Sequence, residues 1–470
     1  MATGKIEIKA KEIVHVVIML LIMFGFKYLP APQPITEYGM AVAGVFIGMV
    51  YGWSFVGLLF PSLMGAFGMV AAGYGSLEAV ILAAFGNATV WMMVFGMLAF
   101  AAMGSTKVTD VLIAKLLNAP IVKKNANTLI YVLLLASAFM GAFGGGPVIA
   151  LIILLPVMEN LFNSCGYEKG NKFNVFLVAG VILAAQIGMI LPPWAPWALM
   201  LMATSTASAG ISAMAFGPYF LMMLVLLLAY TAVYPFVMRL FGCDFSKISA
   251  GTQNLTADNE NTTFDKAQII TLASVIGFVV IMLVISLLSS KIPFLATVNA
   301  KIGVMGMMII VWLIFDQIKI DGKQILNIQD AGKAVSWDLT LLFAIAMVVS
   351  NALTSADTGV SAFLAGLLSP IFAGKSGLFI VVFAALLTLI LTNVANNVAI
   401  AFLMVNIMIA LYQAGIAFNL MAATVLIIFM SVVAIVTPAA SIMGAMLHSA
   451  KSCTPGAIYK WSPLICLYTM

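Results

Sequence analysis

Charge is scarce in this chain. Of its 470 residues only 8% are Asp, Glu, Lys or Arg, while 64% are hydrophobic. A soluble domain carries about a quarter of its residues as charges, so that class is excluded. Cysteine is sparse as well. Cys165, Cys243, Cys453 and Cys466 are scattered without metal-type spacing and read as isolated thiols. The only two histidines, His15 and His448, lie near the ends of apolar runs, with no carboxylate or serine set beside them. A membrane-embedded enzyme would need such a set, and that reading falls away. With no Walker motif, ATP is not the direct energy source. Nor does any charged residue occupy the middle of a clear apolar span. Asp338 opens a helix, Asp357 lies in a connection, and Glu159 stands near a hairpin base. A proton antiporter usually carries its proton on a buried carboxylate, so this absence weighs against one. The net charge of +5 does not point to nucleic acid, and no such partner is expected; its placement over the loops is what matters.

What is present is repetition. Trp91 opens WMMVFGMLAFAAMG and Trp337 opens WDLTLLFAIAMVVSNAL, each followed by an amphipathic stretch, ending at Pro120 and Pro370. Two apolar arms around a weak centre come next. The first set, from Leu129, centres on Gly144-Gly145-Gly146-Pro147; the second, from Leu378, centres on Thr392, Asn393, Asn396 and Asn397. A third pair, AAQIGMILPPWAPW and MSVVAIVTPAASIM, breaks at Pro192-Pro193 and at Pro438. All three pairs recur in the same order at an offset of roughly 245 to 250 residues. Interrupted hydrophobic segments at matching places in two halves point to a secondary transporter with its site between the repeats.

The expected fold is therefore an all-α polytopic membrane protein, with two inverted repeats, re-entrant helical hairpins and broken transmembrane helices. Its expected parts are residues 1–38, a cytoplasmic segment and first spanning helix; 39–241, the first repeat with an inner hairpin; 242–266, a cytoplasmic linker; and 267–470, the second repeat with an outer hairpin and a last helix that looks abbreviated. Spans are expected from Ile13 to Leu29, twice between Gly39 and Gly73 with Gly52 and Pro61 as interruptions, from Phe216 to Leu240, from Ala267 to Leu288, and from Lys301 to Ile318 before a polar loop. The charged start MATGKIEIKAKEIVHVV lacks a cleavage site and reads as a cytoplasmic N-terminus rather than a signal peptide. Placing the basic segments inside leaves Lys27, Lys291, Lys301 and Lys375 outside, with Lys460 unassigned. Lys123 and Lys124 at one flank of the first hairpin, and Lys169 and Lys172 at the other, make it enter and return on the cytoplasmic side; a single kinked span is the alternative. The sequons at Asn254 and Asn261 have no meaning in a cytosolic linker.

Polar groups in apolar runs require partners, since each costs a few kcal/mol when left bare. Thr392, Asn393, Asn396 and Asn397 could serve a cation or a substrate, or could act as interhelical hydrogen-bonding groups. The glycine tip Gly144, Gly145 and Gly146 offers backbone groups at a half-helix N-terminus, or simply close helix packing. Thr437-Pro438 with Ser441, and Gln186 with Pro192-Pro193, would border the same site, or mark ordinary kinks.

The pattern resembles the divalent anion–sodium symporter family of the ion transporter superfamily, over about Gly39 to Ser449. Members show a Ser-Asn-Thr tripeptide at each hairpin tip. Here Thr392-Asn393 fits two places and Val394 departs from the third, while the glycine tip does not match; Thr437-Pro438 matches the family's second break. The resemblance implies an elevator-type carrier in the cytoplasmic membrane, usually a homodimer, importing a di- or tricarboxylate with sodium and needing no other cofactor. On that reading Asn393, Asn396, Asn397, Thr437, Ser441, Gly145, Gly146 and Pro193 hold substrate, and Thr392, Asn393, Gly144 and Thr437 hold sodium. The competing reading is a proton-linked or sodium-independent exchanger or efflux permease of the same superfamily.

Overall fold

The computed structural model describes residues 10–120, 125–248, 263–372 and 374–470. Lys5, Lys9, Lys123, Lys124, Asn254, Asn261 and most of the expected linker lie outside them. After α1 (Ala10–Gly25) and a short 3-10 turn, the first half runs α2 (Glu37–Phe55), α3 (Leu59–Ala72), α4 (Leu77–Phe85), α5 (Ala88–Ser105) and α6 (Val108–Leu117). It continues with α7 (Ala126–Phe143), α8 (Pro147–Ser164), α9 (Lys172–Ile190), α10 (Pro196–Ala209) and α11 (Phe216–Leu240). The second half opens with α12 (Lys266–Leu288), α13 (Pro293–Lys301), α14 (Gly303–Gln317), α15 (Ile328–Lys333), α16 (Trp337–Leu353) and α17 (Val360–Phe372). Then come α18 (Gly377–Thr392), α19 (Asn397–Gln413), α20 (Leu420–Ser431), α21 (Ile442–Ser449) and α22 (Pro455–Tyr468).

The order α5 to α11 is repeated by α16 to α22. In each half a helix and a shorter amphipathic helix lead to a two-helix hairpin, and the hairpin leads to a helix that breaks and resumes. Among the described residues six helices are long and apolar enough to cross a membrane, and the fold is a polytopic one built from inverted repeats.

Local chemistry sets the breaks. Pro147 and Pro196 open α8 and α10 at the first helical position, where a missing N–H costs nothing. Asn396 caps α19 by accepting from Val398 N at 2.9 Å, and Ser441 caps α21 by accepting from Gly444 N at 3.0 Å. Asp265 and Gln268 form a capping box at the start of α12.

One expectation changes and another gains a detail. The expected span from Lys301 to Ile318 is the single helix α14, but it is entered through a sharp bend: α13 and α14 meet at 79°, and Gly303 takes a left-handed conformation there. α14 alone, at 15 residues, is about 22 Å long and too short to cross. The polar loop after it holds a two-stranded ribbon, Lys319–Ile320 with Lys323–Gln324, and α15. Gly52, read as an interruption, stays inside α2, where any side chain would meet Pro61.

α9 is the central helix, with 94% of its spanning window buried. α7 lies against it so closely that a Cβ on Gly141 would overlap the Ala185 carbonyl oxygen, and one on Gly188 would overlap that of Ala138. Ser137 Oγ seals this contact by donating to the Val181 carbonyl at 2.7 Å. By contrast α12 has only 28% of its window buried, with Ile269, Ile276 and Val280 each more than half exposed, as a lipid-facing helix requires.

Candidate functional site

The inner tip follows from its glycines. Gly144 N donates to Met140 O at 2.8 Å and closes α7. Gly145 and Gly146 then turn the chain with φ of 93° and 98°, a region that side chains avoid. Among the described residues the N–H groups of Val148 and Ile149, at the start of α8, have no acceptor. This end of the helix is open and carries the positive pole of its dipole. Beside it lies a cavity of about 260 Å³, lined by Gly145, Gly146, Met97, Phe100, Pro192 and Trp194 among others. The inner tip thus faces the first break. The break is buried, and Trp194 stacks on Phe100 at 5.0 Å between ring centres. Pro193 does not line this space. It lines a neighbouring cavity of about 230 Å³ with Thr89 and Thr206.

The outer tip docks on the second break in the same way, but through hydrogen bonds. Asn393 is 7% exposed. Its Oδ1 accepts from Ile435 N and Val436 N, each at 2.9 Å. Its Nδ2 donates to Leu389 O at 2.8 Å and to Val433 O at 2.6 Å. A carboxamide offers two donors and two lone pairs, so the backbone uses all of them. Thr437 Oγ1 donates to the Asn393 carbonyl at 2.9 Å, and Thr392 Oγ1 to Ser431 O at 3.1 Å. Ser441 Oγ donates to Ala434 O, and Asn397 N to Ala440 O at 3.0 Å. Asn396 spends its oxygen on capping α19. Asn397 differs: its half-buried carboxamide has no partner among the described residues. The outer candidates Thr392, Asn393, Asn396, Asn397, Thr437 and Ser441 are therefore gathered in one place. No hydrogen bond among the described residues joins them directly to Gly144, Gly145 or Gly146.

A buried contact connects the two breaks. Trp197 Nε1, one residue into α10, donates to Ser431 Oγ at 2.9 Å at the end of α20. Further along the same helices Ser205 and Thr424 share a hydrogen bond of 2.7 Å. Sequence reasoning missed both pairs, because nothing local marks partners separated by more than two hundred residues. It also passed over His448, whose Nε2 lies 3.0 Å from the Val436 carbonyl in the second break.

Residues 45–434 match the family model described as citrate transporter, CitMHS. The chain belongs to the citrate transporter family. This family member is a multi-pass membrane transporter, not an enzyme. Among solved structures it is similar to the YdaH transporter of Alcanivorax borkumensis, described as having an unusual topology. The two are 13% identical with a TM-score of 0.54, over 98% of this chain and 97% of that one. At that identity the likeness is one of fold. No curated protein sequence matches the chain.

Proposed function

We propose that this citrate transporter family member is a secondary carrier that imports a small di- or tricarboxylate, citrate among them, together with sodium. It works as a homodimer in the cytoplasmic membrane by elevator-type alternating access, with its N-terminus in the cytoplasm. The observation that carries this reading is the double docking: each hairpin tip meets the broken helix of its own repeat, and Trp197 joins the two breaks. Such sites bind ions and anions through half-helix ends and unwound backbone. Among the described residues, the groups left unspent for an anion include the open N–H groups of Val148 and Ile149 and the carboxamide of Asn397. Sodium would find oxygen ligands in the outer tip, where Thr392, Asn393 and Thr437 present carbonyls and hydroxyls, and at the Gly144 carbonyl of the inner one. Asn393 then holds the outer tip in shape, since its own side chain is committed.

The test is uptake of labelled di- and tricarboxylates into proteoliposomes with and without an inward sodium gradient, for the natural protein and for Asn397→Ala. Sodium-stimulated uptake of one acid, abolished in the variant, is the expected result. Uptake indifferent to sodium overturns the coupling, and no uptake of any acid overturns the substrate class.

A second reading, proton-linked transport, is favoured by one observation: the imidazole of His448 touches the second break. A pH gradient replacing sodium as the driving force would decide for it.

A further inference from the structure

A cavity of about 710 Å³ lies between α8 of the inner hairpin and α21, the helix that leaves the second break. Its wall changes character along α8. Toward the glycine tip it presents Leu151 and Leu155; farther along it presents Glu159 and Asn163, and Lys169 and Lys451 stand at its rim. At 1.5 Å per residue Leu151 lies about 7 Å along the helix from Gly146, and Glu159 roughly 20 Å. The space therefore runs from a charged end toward the hairpin tip, and its wall becomes apolar in that direction.

The charges at that end are unbalanced. Glu159 is turned into the wall, where its Oε1 accepts from Ser452 N at 3.0 Å and Ser452 Oγ at 2.9 Å. The Ser452 carbonyl accepts in turn from Gly170 N at 2.8 Å and Asn174 Nδ2 at 3.3 Å, which fixes this clamp between the halves. Both lysines are exposed, and among the described residues neither ammonium lies within ion-pair distance of a carboxylate. Two lysines against the one carboxylate of Glu159 leave the lining with a net positive charge, and low-dielectric walls behind it focus that field and raise the local concentration of counter-ions. Exposed lysines bind an anion weakly, so they speed encounter without holding the anion.

We propose that this cavity is the vestibule through which a multiply charged organic anion reaches the hairpin tips from the lysine-rich side, with Lys169 and Lys451 concentrating it. The identity of the anion as substrate rests on the function proposed above; the anion-collecting field does not.

Two measurements separate these claims. Asn163→Cys places a thiol on the cavity wall, while the four native cysteines are buried. Its modification rates with an anionic and a cationic methanethiosulfonate of similar size are read by mass spectrometry in the full-length protein. The anionic-to-cationic ratio is expected to fall about tenfold in Lys169→Glu/Lys451→Glu. That difference should collapse in 1 M salt, where the screening length is about 3 Å. A ratio unchanged by the charge reversal overturns the vestibule. In proteoliposomes of fixed orientation, kcat/KM for labelled citrate should drop severalfold from the lysine-rich side only, with kcat retained; an equal loss from both sides also overturns it. A wild-type protein that moves no carboxylate, yet shows the shifted ratio, rejects the substrate and keeps the anion vestibule.

Discussion

The indole of Trp197 hydrogen-bonds the hydroxyl of Ser431 at 2.9 Å, and so ties the resumption of the first broken helix to the end of the helix that precedes the second break. Ser431 also donates to Ile428 O at 2.9 Å and accepts at its carbonyl from Thr392 of the outer tip. One residue thereby links both breaks and one hairpin tip. Trp197→Phe keeps most of the packing and removes the donor. It should cost about 1–2 kcal/mol, seen as a lower Tm in detergent, with a reduced maximal transport rate. An unchanged Tm would mean that water replaces the indole.

Asn393 and Asn397 are four residues apart and should respond differently to alanine. Asn393→Ala strands Ile435 N, Val436 N and Val433 O, and should cost roughly 2–4 kcal/mol. Transport and thermal stability should fall together. Asn397→Ala removes a carboxamide with no protein partner and should lower transport at nearly constant Tm. Equal stability losses in the two variants would refute this division of roles.

Gly188 stands against the Ala138 carbonyl, and even a methyl group there has no room. Gly188→Ala should push α7 away from α9 and cost about 1–3 kcal/mol by overpacking, measured as a Tm shift. Gly146→Ala is a useful contrast. Nothing lies within 4 Å of its would-be Cβ, but its φ of 98° is strained for any side chain. Its effect should fall on the shape of the tip, and hence on KM, more than on helix packing.

His448→Gln keeps a donor for the Val436 carbonyl while removing the titratable ring. In proton-linked transport through His448 the variant loses the stimulation of uptake by a pH gradient. In sodium-coupled transport the variant responds to a pH gradient as the natural protein does. Initial rates at fixed sodium with and without the pH gradient distinguish the two.

Much of the architecture was legible before the structure because it rests on local chemistry. Lack of charge excludes a soluble fold, runs of apolar residues set helices, and Gly144-Gly145-Gly146-Pro147, Pro192-Pro193 and Thr437-Pro438 mark the places where a helix cannot continue. The duplication was legible for the same reason, since each repeat needs its interruptions at equivalent positions. The sharp turn from α13 into α14 was not legible, because hydropathy reports length of apolar chain and is blind to the left-handed turn at Gly303. The outer candidates do lie together as a cluster, but what each side chain bonds was not readable.

From sequence alone came the membrane class, the two repeats and the positions of tips and breaks, all consequences of composition and of backbone rules acting over a few residues. Tertiary structure alone decided that Asn393 is consumed by backbone groups while Asn397 stays open, that Pro192 rather than Pro193 faces the glycine tip, and that Trp197 reaches Ser431. Hydrogen bonds are satisfied by whatever group folding brings within 3 Å, and partners 40 or 230 residues apart leave no mark on one another's sequence.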